Sequence, residues 1–116
     1  MDHSTSDDET DLRVRAAQPD DLGAWQRFVD STSNAGCMHH AGWYGVLRDA
    51  YQVTPHFLMA TDASDNIHGI LPLYHSRSLL TGSHISSLED GALAVRPTAA
   101  RILLAAAREL RDAAGA

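Results

Sequence analysis

Three residues with metal-binding or nucleophilic side chains lie within four positions of one another, namely Cys37, His39 and His40. Adjacent side chains point in different directions, so the two histidines cannot chelate one metal ion as a pair four residues apart on a helix would. No HExxH or CxxC spacing supplies further ligands. We therefore predict no metal site and interpret the segment as the start of a helix, with His40 and Tyr44 as candidate substrate contacts.

A second group of polar residues is the run from Tyr74 to Arg77. Side chains alternate between the two faces of a strand, so His75 and Arg77 share one face. A histidine and an arginine on the same face could bind a phosphate or a carboxylate. A solvated strand face near the edge of a sheet explains the same residues, and that alternative stays open.

Glu89, Asp90 and Gly91 form the third candidate group. Paired carboxylates perform acid–base chemistry where burial drives their pKa values apart, but adjacent acids beside a glycine are more often turn residues that face solvent. The sequence contains no Ser–His–Asp order with the glycine pattern of a nucleophile elbow. We expect Asp90 and Gly91 to contact substrate, and the residues alone predict no catalytic group.

The elements that must position these residues begin with one strand and two helices. Residues 12–17 alternate apolar and basic side chains, which is the period of a half-buried strand. Pro19 suits the first position of a helix that ends at the polar segment 31–36, and a second helix begins near His40. The apolar residues that recur at helical spacing are Leu22, Trp25, Phe28 and Val29, then Trp43, Val46, Leu47, Ala50 and Tyr51.

The second half of the chain predicts three strands and a helix. Residues 55–62 and 67–78 predict a β-hairpin around the turn ASDN, with Pro72 at a bulge or an edge because proline cannot donate to the ladder. Residues 83–88 predict a short strand, and a long helix follows Arg96. Its apolar face comprises Ala99, Ile102, Leu103, Ala106, Leu110 and Ala113, and its polar face includes Arg101, Arg108 and Asp112. The order β-α-α-β-β-β-α predicts an α/β or α+β class around a mainly antiparallel sheet.

Composition narrows the classes of function. The chain has 116 residues, which suits one small domain, and its net charge of −6 disfavours a duplex nucleic-acid binder. All nine basic residues are arginines, so no lysine is present for a Schiff base or a phosphate loop. The single cysteine excludes an intramolecular disulfide and predicts a reducing, cytoplasmic setting. Residues 1–11 predict a disordered acidic tail, and no apolar run approaches the ~20 residues of a membrane span.

The element order and several motifs resemble the first half of a GNAT-type acyltransferase domain. The resemblance is closer to the FemAB-like branch, whose best known members are aminoacyltransferases of cell-wall synthesis. It rests on DLGAWQRFVD (21–30), MHHAGWYGVLRDAYQVTPHFLMATD (38–62) and NIHGILPLYHSRSLLTGSHISSL (66–88), and it covers residues 12–116. It implies a GNAT-like α/β half-domain that transfers an acyl group from acyl-CoA or aminoacyl-tRNA to an amine. The implied acceptor is a small molecule or a cell-envelope precursor.

The GNAT pattern also implies a glycine-rich loop between the fourth strand and the third helix, where backbone N–H groups hold the acyl-CoA pyrophosphate. This sequence has one glycine there, Gly91, and family members are typically longer, with a second GNAT-like half. We therefore expect the isolated chain to be inactive and to need a separate C-terminal half or a second copy, as a homodimer, at an exposed sheet edge. The alternative is a non-catalytic module of the same fold that dimerises or binds a small molecule between the second helix and the hairpin.

Overall fold

A computed structural model of the protein describes residues 12–33, 35–36, 39–51, 53–78, 82–87 and 91–114. The expected acidic tail, Cys37, Glu89 and Asp90 lie outside the described residues. The elements, in chain order, are β1 (Arg13–Ala16), a 3-10 turn (Pro19–Asp21), α1 (Leu22–Ser31), α2 (Gly42–Asp49), β2 (Thr54–Thr61), β3 (Ile67–Ser78), β4 (Gly82–Ser87), β5 (Leu93–Ala94) and α3 (Pro97–Ala114). The predicted α/β class and element order are confirmed, with the two-residue strand β5 as an addition.

The sheet has the order β1-β2-β3-β4, and each neighbouring pair is antiparallel. β5 pairs with Gly69 and Ile70 of β3. Because β2 pairs with the same two residues along one side of β3, β5 must lie along the other side, which is the side of β4. β4 pairs with residues 73–78. Among the described residues, neither β4 nor β5 therefore pairs with Leu71 and Pro72 of β3.

Pro72 lies in the interior of the sheet rather than at an edge. It pairs in register with Phe57 of β2 and is fully buried. Among the described residues, neither β4 nor β5 pairs with it on its other side. A proline is tolerated where a ladder is interrupted, because its nitrogen has no proton to donate to a neighbouring strand.

Helices α1 and α2 cover one face of the sheet. Trp25 of α1 stacks on Phe57 of β2 with ring centroids 4.8 Å apart, and neither side chain is exposed. Tyr44 of α2 meets Phe57 edge-on at 5.4 Å. The buried members of this core are Ala17, Trp25, Phe28, Val29, Ala41, Leu47, Phe57, Met59, Ile70 and Leu93. The apolar spacing predicted for the first helix is thereby confirmed.

Helix α3 covers the opposite face. Its Ala99 and Leu103 are fully buried against Leu58, Leu71 and Leu73. Gly69 permits this close approach: a Cβ atom there would lie 3.0 Å from Leu103 Cδ1 and 3.1 Å from the Cβ atom of Ala99. Helices on both faces make the molecule a three-layer arrangement around one sheet.

The predicted apolar stripe of the second helix is wrong at its C-terminal end. Val46 is 41% exposed and Tyr51 is 65% exposed, whereas Tyr44, which the stripe omitted, packs against the core. The cause is the contact between Tyr44 and Phe57, which sets the rotation of a helix only eight residues long. The helix also ends at Asp49, so Tyr51 lies beyond it. In α3, the predicted inward residue Ala113 is likewise exposed.

Candidate functional site

His39 is a buried structural link between two loops, with only 2% of its surface exposed. Its Nδ1 accepts a hydrogen bond from the Gly36 N–H at 2.9 Å. The ring proton is therefore on Nε2, which donates to the carbonyl oxygen of Gly91 at 3.0 Å. The His39 carbonyl in turn accepts from Trp25 Nε1 at 2.6 Å. His39 thus connects Gly36 to the core residue Trp25 and to Gly91 in the chain before β5.

His40 and Tyr44 have different environments. His40 is exposed, and its carbonyl accepts a hydrogen bond from the Trp43 N–H at 3.2 Å. Tyr44 is half-buried against Phe57, and the Arg48 guanidinium lies 5.9 Å from the centroid of its ring. His40 therefore marks the exposed entrance to α2, as the helix-start interpretation expects, while Tyr44 belongs to the core beneath it.

His75 lies on the α3 face of the sheet together with His56. Strand alternation places His75 on the face of Leu73 and places His56 on the face opposite Phe57. Their ring centroids are 6.1 Å apart. Burial, and then the neighbouring ring of His75, hold the pKa of the His56 imidazole below its ordinary value. In the described part of the chain, no group of three possible metal-binding side chains includes them.

Arg77 is paired in register with Ser83 of β4, two positions beyond His75 on β3. Its side chain and Asp90 lie outside what the structure describes. Gly91 has a φ of +65°, the left-handed region that favours glycine, and its carbonyl is bonded to His39. The candidates therefore divide between the two faces of the sheet, since Tyr44 lies on the α2 face and His75 on the α3 face.

Sequence reasoning missed a groove between α3 and the β4 side of the sheet, which we call the edge groove. Its volume is about 300 Å³. It is formed by Leu71, Leu73 and Ile85 of the sheet, Leu104, Ala107, Arg108 and Arg111 of α3, and Gly91 and Ala92 before β5. Leu104, Ala107, Arg108 and Arg111 follow one another at helical spacing beside the buried stripe of α3. This second stripe was the available signal, but of its residues only Arg108 was placed from the sequence, on a polar face with Arg101 and Asp112.

The lining of the edge groove is mainly apolar and includes two arginines, Arg108 and Arg111. Leu104 is 49% exposed, whereas its neighbour Leu103 is fully buried, so Leu104 adds apolar surface to the groove. Arg111 lies 3.8 Å from Asp112, and Arg108 has no ion pair among the described residues. The groove can therefore accommodate an apolar group next to an anionic one.

Comparisons with known proteins give no match to a family model, to a curated protein or to a solved structure. Within the described residues, none of the helices is both long and apolar enough to cross a bilayer.

Proposed function

We propose that the chain is the first half of a FemAB-like acyltransferase domain of the GNAT type, and that it holds part of an acyl donor. The observation that carries the proposal is the positive φ of Gly91, which lies in the chain that leads through β5 into the 18-residue helix α3. The family resemblance implies that the donor pyrophosphate binds between the fourth strand and the third helix. Gly91, with its left-handed backbone, lies in this connection.

The start of α3 has the physical properties that such a donor requires. N-terminal N–H groups and the helix dipole favour bound anions. Arg96 comes directly before the first residue of α3, which adds a cation to the same part of the chain. The His39 hydrogen bond holds Gly91 in place, so its conformation is set before any ligand binds.

In the proposed reaction an amine attacks the acyl carbonyl of acyl-CoA or aminoacyl-tRNA directly. The new C–N bond replaces the thioester C–S bond or the ester C–O bond, and the leaving thiol or hydroxyl group takes up the proton that the amine loses. The contribution of the chain is to orient the donor and to offer backbone hydrogen bonds. We assign no residue of the chain as an acid or a base. The acceptor class, a small molecule or a cell-envelope precursor, and the cytoplasmic location are parts of the proposal; the single cysteine supports the location.

The proposal includes a completing partner, either a separate C-terminal half or a second copy. Support comes from β4, which is bonded to β3 alone among the described residues. An unpaired strand presents a row of N–H and C=O groups to another strand. We expect the isolated chain to bind a donor without turning it over.

Thermal unfolding with donor ligands tests the proposal. The panel consists of acetyl-CoA, coenzyme A, an aminoacyl-adenosine analogue, and pantetheine as a control that lacks the pyrophosphate. At about 100 times the Kd, a ligand stabilises the folded state by about 2.7 kcal/mol, which raises Tm by roughly 10 °C in a small domain. We expect this rise with coenzyme A or the aminoacyl analogue and not with pantetheine. No rise with any donor would reject the proposal.

A second candidate, a non-catalytic interaction module of the same fold, is favoured by the edge groove. The groove lies on the α3 face and presents the exposed Leu104 beside Arg108. Its position differs from the small-molecule groove expected beside α2, where Tyr44 packs against Phe57. A chain that binds a partner at the edge groove and none of the donors would be this module.

A further inference from the structure

The two edges of the sheet differ in charge. At one edge, β1 carries Arg13 and Arg15. The Arg15 guanidinium is held at this edge by Asp21 at 2.8 Å and by Asp65 at 3.0 Å. At the other edge, β4 has the sequence GSHISS, which contains no lysine, arginine, aspartate, glutamate or proline. Charged residues and prolines are the usual means of preventing strand addition, so β1 carries such protection and residues 82–87 of β4 carry none.

The unprotected edge is continuous with the edge groove. Ile85 belongs to β4 and also lines the groove, so a strand added beside β4 would run along the groove's open side. The α3 residues that face this side are Leu104, Ala107, Arg108 and Arg111. Side chains on the α3 face of an added strand would therefore meet both an apolar surface and two cations.

We propose that β4 and the edge groove bind an extended polypeptide segment that adds to the sheet as a further strand. Its backbone bonds to the outer side of β4, as in strand addition generally. On one face it carries apolar side chains that cover Ile85 and Leu104, together with acidic side chains that meet Arg108 and Arg111. This inference does not require that the chain binds a donor. It rests on the proposed function only in the case that the segment belongs to the separate C-terminal half.

A second copy of the chain fits this surface less well than an acidic partner. The groove-facing stripe of α3 contributes two positive charges, at Arg108 and Arg111, and of these two only Arg111 forms an ion pair among the described residues, with Asp112 at 3.8 Å. Two copies that met β4 to β4 would bring two such stripes towards one another. Like charges at an interface oppose association and favour partners of the opposite sign.

Binding of synthetic peptides to the intact chain tests the inference. The probe is a fluorescein-labelled peptide of nine residues that alternates threonine with isoleucine or glutamate, so that isoleucine and glutamate share one face. We expect saturable binding by fluorescence anisotropy. A matched peptide with lysine in place of glutamate should bind about tenfold more weakly, and a matched peptide with proline at alternate positions should not bind.

Two charge-reversed variants locate the contact. Arg108→Glu with Arg111→Glu should weaken the glutamate peptide about tenfold and strengthen the lysine peptide. The matched control is Arg13→Glu with Arg27→Glu, which changes the net charge equally at exposed positions away from β4. The control should bind both peptides as the wild type does. Circular dichroism and Tm verify that both variants are folded.

Three outcomes would overturn the inference. In the first, the proline peptide binds as tightly as the glutamate peptide. In the second, the Arg108→Glu/Arg111→Glu variant binds the glutamate peptide as tightly as the wild type does. The third is a concentration-dependent dimer in light scattering that the same variant disrupts, which would assign the surface to a second copy. Peptide binding without any donor-induced rise in Tm would reject the transferase and leave this inference intact; the reverse result would reject this inference alone.

Discussion

His39 Nε2 donates a hydrogen bond to the Gly91 carbonyl oxygen at 3.0 Å, across 52 residues of sequence. The bond connects the chain between α1 and α2 to the chain that leads into β5 and α3. Because Gly91 has a positive φ, its carbonyl direction depends on a backbone conformation that few other residues adopt. Of the two adjacent histidines, His39 thus has a structural role and His40 lies at the surface.

Replacement of His39 should destabilise the fold far more than replacement of His40. His39→Ala removes two hydrogen bonds and leaves the Gly36 N–H and the Gly91 carbonyl without partners, so we expect a loss of about 2–4 kcal/mol. His40→Ala, at an exposed position, should change stability by at most about 0.5 kcal/mol. Urea unfolding monitored by tryptophan fluorescence measures both. Equal effects would contradict the structural role of His39.

A methyl group should be tolerated at Gly45 and not at Gly69. Gly69→Ala would place a Cβ within 3.1 Å of Leu103, Ala94 and Ala99, and we expect a cost of about 1–3 kcal/mol from overpacking. Gly45→Ala meets no atom within 4 Å and lies inside α2, so it should stabilise the protein by about 0.5–1 kcal/mol. A stable Gly69→Ala variant would show that α3 does not pack as closely on β3 as described.

Two neighbouring leucines on α3 should differ in their contribution to stability. Leu103 is fully buried, and Leu103→Ala should cost about 2–5 kcal/mol. Leu104 is 49% exposed in the edge groove, and Leu104→Ala should cost at most about 0.5 kcal/mol in the free chain. Chemical denaturation of the two variants gives the comparison. A large loss with Leu104→Ala would mean that the groove is covered in the isolated protein.

The hairpin turn should make stability depend on pH in the acid range. His68 and the Asn66 N–H hold the pKa of the Asp62 carboxyl well below its usual range. A carboxyl whose pKa is lower in the folded state stabilises that state at any pH above its unfolded-state pKa, which is about 3.9 for aspartate. This stabilisation is lost as the pH falls from there through the folded-state pKa. Asp62→Asn should therefore be less stable than wild type at pH 6, and the difference should close towards pH 2.

The control for this pH experiment is Asp20→Asn, which removes a carboxylate from the exposed 3-10 turn. Thermal unfolding at intervals between pH 2 and pH 7 compares the three proteins. We expect Asp20→Asn to follow the wild-type profile. If the Tm of the wild type and that of Asp62→Asn changed in parallel over the whole pH range, the Asp62 contacts would not contribute to the pH dependence of stability.

Local chemistry explains why the hairpin could be predicted from the sequence. The second strand was predicted at 67–78 and is found at Ile67–Ser78. The turn before it is held by Asp62, which accepts hydrogen bonds from the Ser64 and Asn66 N–H groups. Such turns are determined by a few adjacent residues, so a sequence pattern suffices. The buried stripe of α1, where Trp25 is fully buried, was predictable for a similar reason.

The features that could not be predicted depend on contacts between distant segments. Nothing in the sequence around His39 indicates that its acceptor is the backbone of Gly91. The rotation of α2 follows from the contact of Tyr44 with Phe57, which the helical spacing alone does not contain. The edge groove was not predicted because the sequence pattern places Arg108 only on a polar face of α3. Its position in the groove depends on how α3 packs across the sheet.

The most direct test of the account is a titration of the isotopically labelled chain with acetyl-CoA, followed by amide chemical shifts in NMR spectra. If the connection between β4 and α3 holds the donor, the largest shifts should lie at residues 91–99, with smaller changes near His39, which is bonded to Gly91. Pantetheine without the pyrophosphate should leave these amides unchanged. An absence of shifts both with saturating acetyl-CoA and with the saturating aminoacyl-adenosine analogue, or shifts confined to residues 104–111 of the edge groove, would contradict the proposed function.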